Sequence, residues 1–207
     1  AAHDLFGVLR DLDARGVPLF ARDTMRCGNS HVFIAGDVDA DTPLLHVAAE
    51  EGRIAGENAA AFPNVLPMVR TVPLAIAFTM PAFATIGESL AGRDPAQTAV
   101  GEVSFEKQGR SRVMAKNVGL ARIYADRATT RVVGAQILGP DAEHLAHLLA
   151  WMVQLRLTVD QALELPFYQP VVAEGLRTAL KRLRSELQRN APVPPPSADC
   201  MDCGPAT

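Results

Sequence analysis

The chain has 207 residues, of which 48% are hydrophobic and 21% charged, the balance of an ordinary globular chain with enough apolar content for one or two cores. A formal net charge of −3 gives no general attraction to nucleic acid or to an anionic membrane surface. Three cysteines do not make a disulfide framework, and no apolar run approaches the roughly 20 residues that span a bilayer, so a reducing cytoplasm is the expected setting.

Residues 1 to 31 begin with a short helical pattern (Leu5, Val8, Leu9, Leu12) and continue as a broken, polar approach. Nothing in AAHDLFGVLRDLDARG has the basic-then-apolar form of an export signal. Cys27 falls in a predicted loop and reads as a structural thiol. Val32 to Ala35, four apolar residues between polar flanks, is predicted as a buried strand. It runs into Gly36-Asp37, which puts a carboxylate at the strand's carboxyl end beside a residue that permits close backbone approach. Asp41 and Thr42 supply an N-cap candidate before Pro43, and an alanine-rich helix is expected from Leu44. Gly52 and Gly56 lie four apart on that helix, on a face suited to close packing. An acid at a strand end beside a helix N-terminus is a way to hold a polyol and an electron-rich ring, because the acid accepts hydroxyl hydrogen bonds and the helix dipole favours negative charge.

After Pro63 and Pro67 the chain reads as a crossover to a second region. Strands are predicted over 74 to 79, 100 to 105, 119 to 125 and 131 to 138, the last two joined by the polar turn 126 to 130. Helices follow: one capped by Gly139-Pro140-Asp141 and carrying Leu145, Leu148, Leu149, Met152 and Val153, one opened by the capping box Thr158/Gln161, and an amphipathic one from Val171 to about Gln188. Strands in succession and then helices indicate an α+β fold with an antiparallel sheet packed by helices. Trp151 and the methionines are expected in the core. Glu143, His144 and His147 sit at a helix start with spacing that permits a metal, but such groups are commonest as exposed polar residues, and no metal site is predicted.

The string VFIAGDVDADTPLLHVAAEEGRIAG resembles the second flavin-contacting segment of the pyridine nucleotide-disulfide oxidoreductases. The motifs VPLAIAFTMP, ATIG, GRSRVMAKNVGLARIYAD, VVGAQILGPDAEHLAHLLA and PFYQPVVAEGLRTAL resemble the family's C-terminal dimerisation domain, within a likeness that runs from about residue 15 to 188. The resemblance implies FAD as cofactor, with Asp37 on the ribityl chain, Leu44, Leu45 and His46 facing the flavin pyrimidine edge, and Gly36 and Ala48 also among the cofactor-binding positions. For His46, a partly buried position whose backbone matters more than its ring is expected. The family's Gly-x-Gly-x-x-Gly fold and redox cysteine pair lie upstream of such a segment, so the chain is expected to be the C-terminal part of a longer enzyme. Residues 1–69 would then end an FAD-binding α/β domain, 70–190 would form the dimerisation domain, and 191–207 would be a proline-rich flexible tail. Implied partners are a second copy of the chain, NAD or NADP, and a small-molecule or protein-bound dithiol, with no nucleic acid and no membrane.

Two departures matter. Where dithiol-processing members read Tyr-His-Pro with a Glu five residues after the His, this chain reads Tyr168-Gln169-Pro170 and Glu174. The family's His is a proton-shuttling base oriented by that Glu, and an amide cannot take up the proton. The tail places Cys200 and Cys203 beyond NAPVPPPS, a possible redox pair, since mercuric reductases and large thioredoxin reductases carry cysteine pairs on mobile tails. A reductase with another acceptor, a metal ion or a quinone, is therefore one alternative. A purely structural dimerisation module is another.

Overall fold

The structure is a computed structural model that describes residues 12–189. The chain divides into two compact units, Ala1–Thr71 and Val72–Thr207. Leu5, Val8 and Leu9 of the N-terminal helical pattern, and Cys200 and Cys203, lie outside the described residues.

In the first unit, β1 (Phe20–Ala21) and β2 (Arg26–Cys27) form a two-stranded antiparallel hairpin, with Phe20 opposite Cys27. Cys27 is therefore in a strand rather than a loop. It is 2% exposed, and burial raises its thiol pKa, which leaves it in the unreactive thiol form. Val32–Ala35 corrects the predicted strand. The segment makes one isolated bridge, Phe33 to Arg26, flanked by hydrogen bonds from Cys27 N to Val32 O (2.9 Å) and Ile34 N to Met25 O (3.0 Å). A ladder needs a neighbour along its whole edge, and the two-residue β2 supplies only this much before the chain curls into a 3-10 turn, Gly36–Asp39.

Helix α1 spans Leu45–Ala61 and buries Val47, Glu51, Ile54 and Asn58, a stripe at helical spacing. Asn58 ties it to the surrounding loops, donating to Thr24 O and Leu66 O and accepting from Leu66 N. Gly52 and Gly56 are exposed, with nothing within 4 Å of a Cβ placed on either, so the expected close packing on that face does not occur among the described residues. The chain up to Thr71 is drawn back onto the helix: Glu50 accepts from Thr71 N (2.8 Å) and Thr71 Oγ1 (3.0 Å).

The second unit is a five-stranded antiparallel sheet, β3 (Leu74–Ala77), β4 (Ala82–Gly87), β5 (Thr98–Ser104), β6 (Leu120–Asp126) and β7 (Val132–Gly139), in the order β3-β4-β7-β6-β5. The α+β reading holds. β4, with its small residues between Pro81 and Gly87, was not predicted, and neither was the short helix α2 (Gly109–Val113). Register is fixed by alternation: Ala84 faces Ile137, which faces Ala121, which faces Val103, all on the buried side. On the other side Glu102 pairs with Arg122 at 2.5 Å and Tyr124 donates to Gln136 Oε1 at 2.7 Å.

Helices α3 (Ala142–Gln154), α4 (Val159–Glu164) and α5 (Glu174–Arg189) contribute Leu145, Leu149, Leu163, Leu176, Leu180 and Leu183 to the core against this sheet. Thr158 and Gln161 form the predicted capping box at α4. At α3, Asp141 caps through its carbonyl, which accepts from His144 N and Leu145 N, rather than through its side chain. The last helix begins at Glu174, after a turn over 171 to 173, rather than at Val171. α5 runs so close to β5 that a Cβ at Gly101 would sit 2.3 Å from Ala179 O and 2.6 Å from Leu183 Cβ; only glycine fits there. Trp151 is 60% and Met80 100% exposed, which corrects the core positions expected for them, while Met25 and Met152 are buried. Trp151 lies between Ala150 and Met152, which turn inward on α3, so helical geometry carries it out of the core.

Candidate functional site

The candidate cofactor-contacting residues converge around the 3-10 turn and the start of α1. Gly36 has φ +75 and is buried, and a Cβ placed on it would come 3.3 Å from Ala48 Cβ. Turn and helix thus meet through the two smallest residues available, Gly36 and Ala48, which brings these two predicted positions together. Gly36 N donates to Glu51 Oε2 at 2.9 Å. Asp37 is exposed and its carboxylate makes no hydrogen bond or ion pair among the described residues.

Leu44 is the N-cap of α1, extended at φ −129, and no side chain caps the helix. The first amide of the region to close a helical bond is that of Ala48, onto Leu44 O. The N–H groups of Leu45, His46 and Val47 are left as donors at the positive end of the dipole. The predicted cap from Asp41 or Thr42 is not made, because the Asp41 carboxylate is drawn into ion pairs with Arg22 and Arg70. Leu45 is 89% exposed and His46 is exposed as well, so the His46 position is not the partly buried one expected.

Beneath this lies a buried charge network that sequence reasoning missed. Glu51, whose side chain is 1% exposed, accepts from Arg70 Nη2 at 2.5 Å; Arg70 also approaches Asp41 (3.8 Å) and Glu50 (3.9 Å). Asp39 accepts from Asp41 N at 2.8 Å through Oδ1, while its buried Oδ2 has no partner. Burial raises the Asp39 pKa, and the neighbouring Glu51 charge adds to the rise. The signal was present: Val47, Glu51, Ile54 and Asn58 share one stripe, so an acid and an amide occupy core positions and demand partners.

A pH dependence follows. The folded-state pKa of Asp39 lies above its unfolded value of about 3.9, so the stabilisation is complete below that value and is lost as pH rises through the folded pKa. Asp39→Asn removes a charge that is costly to bury. Amide exchange across α1 should be slower than in the parent chain near pH 7 and about equal to it near pH 4. Faster exchange near pH 7 would show that Asp39 is needed ionised.

In the second unit, Gln169 and Glu174 line one cavity of about 380 Å³ together with Lys107, Gln108, Arg110 and Arg182. Gln169 is exposed in the turn before α5, and Glu174 is the first residue of that helix and half-buried. The structure thus brings the two candidate catalytic positions to one concave surface. Gln108 fixes its rim, donating to Val171 O at 2.8 Å while its Oε1 accepts from Ser111 N. The Glu174 side chain makes no hydrogen bond or ion pair among the described residues, while its carbonyl accepts from Thr178 Oγ1. Three cations around one carboxylate give the cavity a positive balance.

Near the start of α3, His147 Nδ1 lies 2.6 Å from Glu143 O, and His144 Nδ1 is 3.7 Å from the Glu143 carboxylate, with both imidazoles exposed. No group of three potential metal ligands occurs among the described residues, and none of their helices is long and apolar enough to cross a membrane.

The first unit thus has a turn and helix that leave an acid and helical N–H groups free, and the second is an antiparallel sheet backed by helices. The pyridine nucleotide-disulphide oxidoreductase dimerisation domain matches residues 73–180, just over half of the chain, and the chain belongs to that family. The chain is 34% identical over 172 residues to the dihydrolipoyl dehydrogenase of Haloferax volcanii, covering 82% of this chain and 36% of that protein. To the mercuric reductase of Bacillus cereus it is 29% identical over 178 residues, covering 82% of this chain and 28% of that one. The crystal structure of LpdA from Mycobacterium tuberculosis superposes with a TM-score of 0.72 at 26% identity, over 84% of this chain and 38% of that chain. The chain thus spans about a third of the length of the relatives it matches.

Proposed function

We propose that this chain is the C-terminal part of a flavin-dependent, NAD(P)-linked dithiol/disulfide oxidoreductase of the dihydrolipoamide dehydrogenase type, to which it supplies FAD contacts and a homodimer interface. The carrying observation is the free Asp37 carboxylate beside the uncapped start of α1, with Gly36, at a positive φ that favours glycine, packed on Ala48. These residues fit FAD: Asp37 would accept from ribityl hydroxyls, and the N–H groups at Leu45 and His46 would face the electron-rich edge of the ring. FAD, when bound, supplies electron transfer between the nicotinamide and a dithiol or disulfide. Gln169 and Glu174 would lie where the dithiol is processed, with Gln169 donating or accepting hydrogen bonds but not protons.

The homodimer is supported by apolar side chains left open on the second unit: Phe78 at 83%, Met80 at 100%, Trp151 at 60% and Tyr168 at 78% exposure. Light scattering on the purified chain should give twice 22.1 kDa. FAD should bind weakly and raise the thermal midpoint, and Asp37→Ala should abolish the rise. A monomer, or an FAD response unchanged by Asp37→Ala, counts against the reading; a dimer with no FAD response would leave a structural module.

A second reading, a reductase whose acceptor is a metal ion or a quinone, is favoured by the amide at Gln169. It would give Cys200 and Cys203 a role as a tail redox pair. A cytoplasmic setting is inferred from the sparse cysteines, with Cys27 free and buried.

A further inference from the structure

A cavity of about 620 Å³ in the second unit has no place in the reading above. Its walls include Val72, Pro73, Val132, Val133 and Val153, and three arginines, Arg93, Arg131 and Arg156, reach it. Its two carboxylates are already engaged. Asp126 accepts from Thr129 N and Thr129 Oγ1, both at 2.8 Å, and from Arg93 Nη2 at 3.3 Å, while Glu88 pairs with the same arginine. Arg93 is further held by its Nε–H donating to Thr98 Oγ1 at 3.1 Å. The charges of Arg93, Glu88 and Asp126 are thus bound up with one another. The guanidinium groups of Arg131 and Arg156 make no hydrogen bond or ion pair among the described residues.

Arg156 is also placed against local preference. Leu155 caps α3, and Arg156 follows with φ 55; Arg156 N donates to Val153 O and Leu157 N to Met152 O. This is the two-bond helix stop in which the left-handed residue is usually glycine. A guanidinium thus stands where glycine would relieve the backbone, on the rim of an apolar-walled cavity.

We propose that this cavity binds a small organic phosphate monoester. Two guanidinium groups without protein partners match the charge of a dianionic phosphate, and a guanidinium can bond a phosphate through two N–H groups. The valine and proline wall takes the apolar body of the same ligand, and the volume is that of a small-molecule site.

The experiment uses the purified 207-residue chain, with phenyl phosphate, inorganic phosphate and phenol as calorimetric probes. Phenyl phosphate should bind saturably with a Kd of about 1 mM or tighter, inorganic phosphate about tenfold more weakly, and phenol without measurable affinity. Arg131→Gln and Arg156→Gly should each weaken phenyl phosphate about fivefold or more. The glycine relieves the left-handed backbone, so Arg156→Gly should fold at least as stably as the parent, and an undiminished thermal midpoint separates lost binding from lost folding. Absent saturation, an affinity that neither substitution changes in a folded chain, or phenol binding as well as phenyl phosphate would each overturn the proposal.

Discussion

Replacing Gln169 with His in a complete reductase that carries this chain should raise turnover of a dithiol substrate by roughly 10²- to 10⁴-fold, the usual contribution of a positioned general acid-base. Position 169 opens onto the cavity that Glu174 lines, and the Glu174 carboxylate is not engaged by any described side chain. A carboxylate there would favour the imidazolium and raise its pKa, while Lys107 and Arg110 on the same cavity would oppose the rise. The gain should therefore appear in the turnover number with little change in KM, and a new limb near the imidazole pKa should enter the pH profile. In the Gln169→His/Glu174→Gln double variant much of the gain should disappear. Unchanged dithiol turnover in Gln169→His would mean that this cavity does not process dithiols and would favour the alternative acceptor.

Removing the Arg70 guanidinium should cost the first unit about 3 kcal/mol, the lower end of what breaking a buried ion pair costs, because the Arg70 side chain remains 20% exposed. The loss comes less from the missing attraction than from what remains: Glu51, 1% exposed, would be left with only the Gly36 amide as donor. Against a total folding stability that is typically about 5–15 kcal/mol, such a loss is large. The aromatic reporters Tyr124, Trp151 and Tyr168 belong to the second unit, so amide exchange across α1 is the suitable measurement. Arg70→Met should speed it by roughly 100-fold, and Glu51→Gln in the same chain should restore much of the protection. Arg53→Met, which removes an ion pair with Glu57 whose members are both about half exposed, should change exchange by less than about threefold. Equal effects from Arg70→Met and Arg53→Met would show that Glu51 is not stabilised by its partner.

The two results bear on different levels of the molecule. The Arg70 network holds the Gly36 turn against α1, and so sets where Asp37 and the open helix end stand relative to each other. The Gln169 cavity depends on the seating of α5 on β5, which the bare backbone at Gly101 allows.

Local signals carried far in this sequence. The β-favouring runs 100 to 105 and 119 to 125, the capping box at Thr158, and leucines at helical spacing through 145 to 183 each follow from chain geometry within one element, so the α+β class and most strands were legible. The family resemblance added Gly36, Asp37 and Ala48, and the structure places these together. What failed depended on neighbours distant in the chain. Val32–Ala35 has the composition of a strand but only a two-residue edge to pair with, and Asp41 leaves its cap position because Arg22 and Arg70 compete for its carboxylate. Trp151 looked like core because its size argued for burial, while its rotation around α3 was fixed by the leucines and alanines that pack on the sheet.

By itself, then, the sequence determined most of the strands and helices, because periodicity and capping act within a few residues, and its motifs carried the family. Only the tertiary structure decided which charges are buried, which are paired and which stand free. Asp39, Asp37, Arg70 and Arg131 read alike as charged residues, and what distinguishes them is the set of groups that folding brings within a few ångströms of each.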